Sequence, residues 1–242
     1  MTRLVLEREM RLLQDEILRL GSEVAENLGE VVSALKRRDM AKSRQLIKAD
    51  EWINQRRIKI GMRGLSLIAT QQPFASDMRR IAAMIEIAGE LERIHDYVKG
   101  IAKINLRIDE VYYLDPLIAH YPEMASITQE MLHHALDAFI NRDANLAKQI
   151  PERDDEVDRL YQSAYRIIIK YVTQTPTAVE MANQIEWAGH NLERSADRVT
   201  NICEWVVYMV TGVFEELDSE YNTLLSTSEP SPPTSLRDNK MI

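Results

Sequence analysis

Residues 91–96 read LERIHD and residues 192–197 read LERSAD, so one short motif occurs twice, 101 positions apart. Each copy lies inside a long segment with the hydrophobic spacing of a helix. Within each copy a glutamate and an aspartate stand four residues apart, which places both carboxylates on one helix face, about 5–6 Å apart at Cβ. Two like charges at this spacing repel each other, so the motif predicts a compensating group, either a neighbouring arginine or a bound cation.

The segment around the first copy has the clearest hydrophobic register in the chain. In this register Glu92 and Asp96 fall away from the apolar seam, so we expect both carboxylates to face outward. His95 lies between them in angle and could share the same face. The seam itself shows the alternating spacings of three and four that are typical of a helical bundle, and it comprises Met84, Ile87, Leu91, Ile94, Val98, Ile101 and Ile108, with Asn105 as its one polar member.

The same periodicity predicts three helices in the first half of the chain. One runs from about Arg3 to Lys36 and a second from Met40 to about Thr70, with Asp39 as a candidate N-cap. The third begins at Pro73 or Ser76 and reaches Ile108, because a proline disfavours helical geometry in the residue before it and so ends the second helix.

The second half repeats this pattern after a predicted linker between Tyr112 and Pro122. Residues 139–143 echo residues 35–39 at an offset of 104, and the last helix repeats the third at an offset of 101. The offset between matching residues thus changes by only a few residues, as expected when the loops of a duplicated unit differ in length. We therefore predict an all-α fold, a tandem repeat of two three-helix bundles that makes an elongated six-helix protein. The first bundle spans residues 1–112, the second spans residues 113–218, and the Ser/Pro-rich residues 219–242 form a disordered tail.

Composition narrows the class of protein. The formal net charge of −8 argues against a nucleic-acid-binding protein, which would carry a basic face. A single cysteine, Cys203, excludes an internal disulfide and fits a reducing compartment, and its apolar neighbours favour a buried, inert thiol. The charged N-terminal residues do not resemble a secretory signal, and no apolar run is long enough to span a bilayer. We expect a cytoplasmic protein.

Further acids stand on the helix that precedes each copy of the motif. If the two helices pack antiparallel, the acids converge into patches of oxygen ligands, which suit hard or borderline cations such as Mg, Mn, Ca or Fe. The alternative is a solvated face on which Arg93 and Arg194 screen the aspartates three residues further along. The acidic pairs are Asp50/Asn54 with Glu92/Asp96 in the first unit, and Asp154/Asp158 with Glu193/Asp197 in the second.

A di-iron carboxylate bundle, acting as an enzyme or a storage protein, is the competing function. Glu92 and His95, and likewise Glu130 and His133, match the Glu-x-x-His element of such bundles. That element needs inward-facing ligands, whereas Glu92 is predicted to face outward, and Ala196 stands where the first unit has His95. The sequence also lacks a Gly-rich phosphate loop, a nucleophile elbow and Cys/His zinc spacing, which are signatures of common enzyme classes.

Four segments resemble the PhoU family of phosphate-signalling regulators. They are QPFASDMR at 72–79, ELERIHD at 90–96, DDEVD at 154–158 and NLERSADRVTNICE at 191–204. The resemblance spans about Arg3 to Gly212, in both halves and in the same order. It implies two three-helix bundles, usually in a homodimer, and a non-enzymatic negative regulator of phosphate uptake. Such an adaptor links the ATPase subunit of the phosphate ABC transporter to the sensor histidine kinase of the phosphate two-component system, and it meets the membrane only through these partners.

The resemblance also implies metal sites on the bundle surface, with Mg, Mn, Fe or Zn as candidate ions. Asn54 stands where the family has an aspartate, and His95 and Ala196 stand where it usually has glycine, so we expect the second site to be the stronger. A metal-free scaffold is a third reading. Transferred residue by residue, the first site comprises Asp50, Glu92 and Asp96, and the second comprises Asp154, Asp158, Glu193 and Asp197.

Overall fold

The computed structural model describes residues 3–108 and 114–217, and within them it contains seven α-helices and two short 3₁₀ turns. The predicted linker, from Leu114 onward, contributes buried Leu117 and Ile118 to the core. The predicted boundary between the bundles at 112/113 and the predicted tail at 219–242 lie outside the described residues. The helices are α1 (Arg3–Arg37), α2 (Met40–Gln71), α3 (Ala75–Arg107), α4 (Tyr121–Asn141), α5 (Ala144–Gln149), α6 (Asp154–Gln174) and α7 (Val179–Thr211).

The first three helices match the sequence prediction, and the second unit repeats them with one break. Asp39 caps α2 as predicted, because its side chain accepts a hydrogen bond of 2.9 Å from the backbone N–H of Lys42. The segment corresponding to α2 is divided into α5, a 3₁₀ turn (Ile150–Arg153) and α6. Pro151 lies in that turn, and a proline cannot donate the backbone hydrogen bond that a continuous helix requires.

Four long helices form the centre of the molecule, and the other helices flank them. Helices α1, α3, α7 and α4 contact one another in a ring, with α2 packed on α1 and α3, and α5 and α6 packed on α4 and α7. Their buried apolar side chains form one continuous core. The all-α tandem repeat is therefore confirmed, and the two units share an extensive interface between α3 and α7 and between α1 and α4.

The α3–α7 contact brings the two copies of the motif together. Glu90 of α3 accepts hydrogen bonds from Arg198 at 3.4 Å and from Asn201 at 3.3 Å. Gly100 at the other end of the contact lies against Asn191, whose Nδ2 would be 2.7 Å from an added Cβ. Because the residue that lies further along α3 meets a residue less far along α7, the two helices run antiparallel, and the two motifs cross near the middle of both helices.

The polar member of the predicted seam has a structural explanation. Asn105 is fully buried, and its Nδ2 donates to the carbonyl of Ala34 at 3.1 Å and to Oγ of Ser43 at 2.8 Å. Its Oδ1 accepts a hydrogen bond of 2.6 Å from Arg38, which follows the end of α1 in a left-handed conformation (φ 55°). The amide therefore satisfies backbone groups where α1 turns into α2.

The apolar members of the seam are all buried, as the periodicity predicts. Cys203 is also fully buried, and burial raises the pKa of its thiol, so the expectation of an inert cysteine agrees with the structure. None of the helices in residues 3–108 and 114–217 has the length and apolarity that a membrane span needs.

Candidate functional site

The first acidic cluster lies where α2 packs against α3. Asp50 is carried by α2, and Glu92 and Asp96 are carried by α3 on its outward side, as predicted. The ammonium group of Lys99 lies among them, 2.6 Å from Oδ2 of Asp50 and 3.2 Å from Oδ1 of Asp96. The hydrogen bond to Asp50 raises the pKa of Lys99, so this side chain is a cation at neutral pH. A positive charge from the chain itself therefore neutralises part of the cluster.

His95 does not share the outward face, so that expectation was wrong. Its ring is fully buried, with Nε2 lying 3.2 Å from Nδ2 of Asn27 in α1 and Nδ1 lying 3.5 Å from Oδ1 of Asp50. Burial lowers the pKa of His95, which favours the neutral ring. With the proton on Nδ1, the ring donates to Asp50 and accepts from Asn27, and both nitrogens are satisfied.

The second acidic cluster lies where the first turn of α6 packs against α7. Asp154 and Asp158 belong to α6, and Glu193 and Asp197 belong to α7. Burial and then the charges of Asp197, Asp158 and Glu193 raise the pKa of Asp154 to about 8. The four predicted acids of this unit are therefore close enough to repel one another electrostatically.

Asp154 is a partly enclosed acid of the second cluster. Its Oδ2 accepts a hydrogen bond of 3.3 Å from the hydroxyl of Thr200, while its Oδ1 is buried and has no hydrogen-bond partner. A buried carboxylate oxygen without a partner is costly, and a cation would offset that cost. An all-oxygen donor set of this kind is suited to hard cations such as Mg²⁺ and Mn²⁺.

Only one of the two predicted arginine–aspartate pairs is present. Arg194 lies 3.6 Å from Asp197, as the solvated-face alternative predicts. Arg93 instead lies 4.0 Å from Glu90, and Lys99 takes the place beside Asp96 that was predicted for Arg93. The two clusters are therefore balanced by different residues, even though the motifs around them are copies.

The Glu-x-x-His elements lie apart from a shared interior centre. His133 is exposed and the side chain of Glu130 is 54% exposed, and in the other element His95 points inward while Glu92 is outward. Residues 3–108 and 114–217 contain no group of three or more His, Cys, Asp or Glu side chains that, in their present conformations, could hold a metal ion.

Sequence reasoning missed Lys99 and Thr200, which touch the two clusters. Each residue stands seven positions after the glutamate of its motif, so it lies on the same helix face two turns further on. Aligning the two copies at their offset of 101 places Lys99 opposite Thr200. This alignment could have identified both residues as neighbours of the acidic clusters.

Comparison with known proteins gives the same pattern of two units. The PhoU domain matches residues 17–104 and again residues 121–206. The phosphate-specific transport system accessory protein PhoU homolog of Clostridium acetobutylicum is 31% identical over 213 residues, which cover 88% of this chain and 97% of that protein. The homolog of Pseudomonas aeruginosa is 32% identical over 204 residues, covering 84% of each chain.

Solved structures agree with the sequence matches. The crystal structure of the phosphate transport system regulatory protein PhoU from Streptococcus pneumoniae superposes with a TM-score of 0.80 at 28% identity, covering 87% of this chain and 99% of that chain. PhoU from Pseudomonas aeruginosa also gives a TM-score of 0.80, at 31% identity, with 86% and 99% covered. The family model covers both repeats and the solved structures share the fold, so the chain belongs to the PhoU family.

Proposed function

We propose that this protein is a non-enzymatic negative regulator of phosphate uptake and of phosphate-starvation signalling. It acts in the cytoplasm as an adaptor between the ATPase subunit of the phosphate ABC transporter and the sensor histidine kinase of the phosphate two-component system. The observation that carries this proposal is that relatives named as phosphate-specific transport accessory proteins match the chain over most of its length and in both repeats.

The flanking helix α2 has a surface suited to binding a partner. Its outer face carries three exposed apolar residues, Ile58, Met62 and Leu65, at spacings of four and three. They lie on the side of the helix opposite its buried residues, so they contribute nothing to the core. Exposed apolar stripes on rigid helices commonly mark sites where another helix docks. We call these three residues the α2 stripe.

The core of the molecule supports a rigid adaptor. Helices of more than thirty residues extend about 50 Å at 1.5 Å per residue, and α1, α3, α4 and α7 share one continuous core. An adaptor of this length can present separate surfaces to two partners without changing its own fold. A homodimer, which the family resemblance predicts, would double these surfaces.

The second acidic cluster is the better candidate for a metal ion. Asp154, Asp158, Glu193 and Asp197 provide oxygen ligands, and rotation of their side chains toward a common point would let them share one Mg²⁺ or Mn²⁺, or an Fe or Zn ion. A cation there would relieve the repulsion around Asp154 and lower the negative charge of the α6–α7 face. The predicted first site, formed by Asp50, Glu92 and Asp96, already contains Lys99 and fits a metal less well.

Direct binding tests the adaptor proposal. The purified chain is mixed with the transporter ATPase and, separately, with the cytoplasmic part of the kinase, and affinities are measured by calorimetry. We expect binding to both, and we expect Met62→Asp in the α2 stripe to weaken binding to at least one of them. Arg166→Asp is the matched control, because Arg166 is exposed at the equivalent position of α6. If the wild-type chain binds neither partner, the proposal fails.

A further inference from the structure

We propose that the ammonium group of Lys99 occupies, in the first acidic cluster, the place that a metal cation takes in the second. The chain would then carry one cluster that binds an added cation beside Asp154, with Arg194 already paired to Asp197, and one whose aspartates are bridged by its own lysine. This inference rests on the cation binding proposed above for the second cluster, and it concerns how the duplicated unit has diverged.

The position of Lys99 carries the inference. Its Nζ bridges Oδ2 of Asp50, at 2.6 Å, and Oδ1 of Asp96, at 3.2 Å, so one cation joins α2 to α3. The two carboxylates belong to neighbouring helices, and a metal ion in this cluster would have to bridge the same pair. The side chain of Lys99 is 27% exposed, so it lies within the cluster rather than extending into solvent.

The remaining oxygen of Asp50 is also engaged. Oδ1 lies 3.5 Å from Nδ1 of His95, which in turn is held by Asn27 at 3.2 Å. A chain of polar contacts thus runs from the buried side of α1 through His95 and Asp50 to Lys99. Both carboxylate oxygens of Asp50 accept a hydrogen bond from the protein, so an external cation would have to displace one of these donors in order to bind.

The equivalent positions of the second unit lack these donors. Ala196 replaces His95 and has no hydrogen-bonding group, and Thr200 replaces Lys99 with a neutral hydroxyl. That hydroxyl reaches Oδ2 of Asp154 at 3.3 Å, and Oδ1 of Asp154 remains buried without a hydrogen-bond partner. The same framework therefore leaves the aspartate incompletely satisfied in the second unit alone.

Two further differences between the units also make the first cluster less negative than the second. The first unit has Asn54 where the second has the carboxylate Asp158, and it has Arg57 where the second has Tyr161. Arg57 is close enough to oppose the rise in the pKa of Glu92 that burial and Asp96 cause. Each of the four replacements removes negative charge from the first cluster or gives it a donor, so together they turn a metal-binding arrangement into a self-neutralised one.

Sealing one cluster has a consequence for regulation. The contact between α2 and α3 in the first unit is held whatever the supply of cations, because its bridging charge is covalently attached. A change in free cation concentration would alter the surface charge of the α6–α7 side only. The chain therefore responds to metal through one of its two units.

The test measures Mn²⁺ binding to the full chain by calorimetry. The background variant Glu193→Gln/Asp197→Asn removes two ligands of the second cluster, so that any Mn²⁺ bound by it reports on the first. We expect this background to bind Mn²⁺ weakly, and we expect the addition of Lys99→Thr and Asn54→Asp to tighten binding by at least about tenfold. Asp50→Asn, added last, should abolish the gain.

Two results would overturn the inference. One is Mn²⁺ binding by the background variant that is as tight as binding by the wild-type chain and is lost on Asp50→Asn, because Lys99 would then not exclude the cation. The other is the absence of any gain in the Lys99→Thr/Asn54→Asp variant, provided that its helical circular dichroism matches the wild type. If that variant does not fold, Thr200→Lys in the wild-type chain decides, since an internal cation beside Asp154 should remove Mn²⁺ binding and unchanged binding contradicts the inference.

Failure of the metal site proposed for the second cluster can be distinguished from failure of the inference about Lys99. A wild-type chain that binds no Mn²⁺ at its second cluster contradicts the cation binding proposed above. The first cluster is tested separately in the background variant, so a gain there would still support the role of Lys99.

Discussion

Glu90 of α3 and Arg198 of α7 pair across the interface between the two units, with Oε2 of the glutamate 3.4 Å from Nη1 of the arginine. Their side chains are only 11% and 14% exposed. Asn201 donates to the same glutamate oxygen. A charge pair this enclosed helps to fix how the two units meet, because removing Arg198 leaves the buried charge of Glu90 with only the more distant and more exposed Arg93, at 4.0 Å, to offset it.

We predict that Arg198→Ala lowers the free energy of unfolding by about 3 kcal/mol, the size expected when one partner of a buried pair is removed. Urea denaturation followed by circular dichroism measures the change. Glu90→Gln in the same background removes the stranded charge and should recover part of the loss. An Arg198→Ala variant as stable as the wild type would show that the pair does not hold the units together.

The glycines of the helices provide a second prediction, about packing. A Cβ at Gly189 would lie 2.7 Å from the hydroxyl oxygen of Tyr121, which donates a hydrogen bond of 2.6 Å to the carbonyl of Ile185. Gly189→Ala should therefore lower the thermal midpoint by displacing a buried ring. Gly89→Ala is the control, because nothing lies within 4 Å of a Cβ there, and a helical alanine should stabilise by about 0.5–1 kcal/mol. Equal effects at both positions would contradict this packing.

Much of this architecture could be predicted from the sequence, because it depends on local periodicity. The α3 seam and the Asp39 cap are set by spacing within one or two helical turns, and both agree with the structure. The outward placement of Glu92 and Asp96 followed from the same register. The duplication placed the second cluster by analogy with the first.

The features that the sequence did not predict depend on neighbouring helices. His95 stands beside the seam, and its inward position is decided by Asn27 on α1 and Asp50 on α2, which are far away in the chain. Lys99 is long enough to point in several directions, and only the packing of α2 on α3 brings Asp50 within its reach. The contact between α3 and α7 likewise has no local signal in the chain.

A third prediction concerns the pH dependence of the metal-free protein. The pKa of Asp154 is raised to about 8, so the folded chain holds this proton more tightly than the unfolded chain does. The contribution of Asp154 to the free energy of unfolding should therefore be greatest below about pH 4 and fall as the pH rises to about 8. Each pKa unit corresponds to about 1.4 kcal/mol, so the loss amounts to a few kcal/mol at most.

Comparison with Asp154→Asn isolates this contribution from those of the other acids. Urea denaturation is measured at several pH values between about 4 and 8 in the presence of a chelator. The difference in stability between variant and wild type should grow with pH, because asparagine carries no charge to desolvate. A constant difference across this range would show that Asp154 is not buried among like charges.

Deletion of the gene tests the proposed restraint of phosphate uptake and starvation signalling. A phosphate-starvation reporter is measured in the deletion strain in phosphate-rich medium. We expect the reporter to become constitutively active and the wild-type gene to return it to its repressed level. A reporter that stays repressed in the deletion strain would contradict the regulatory role.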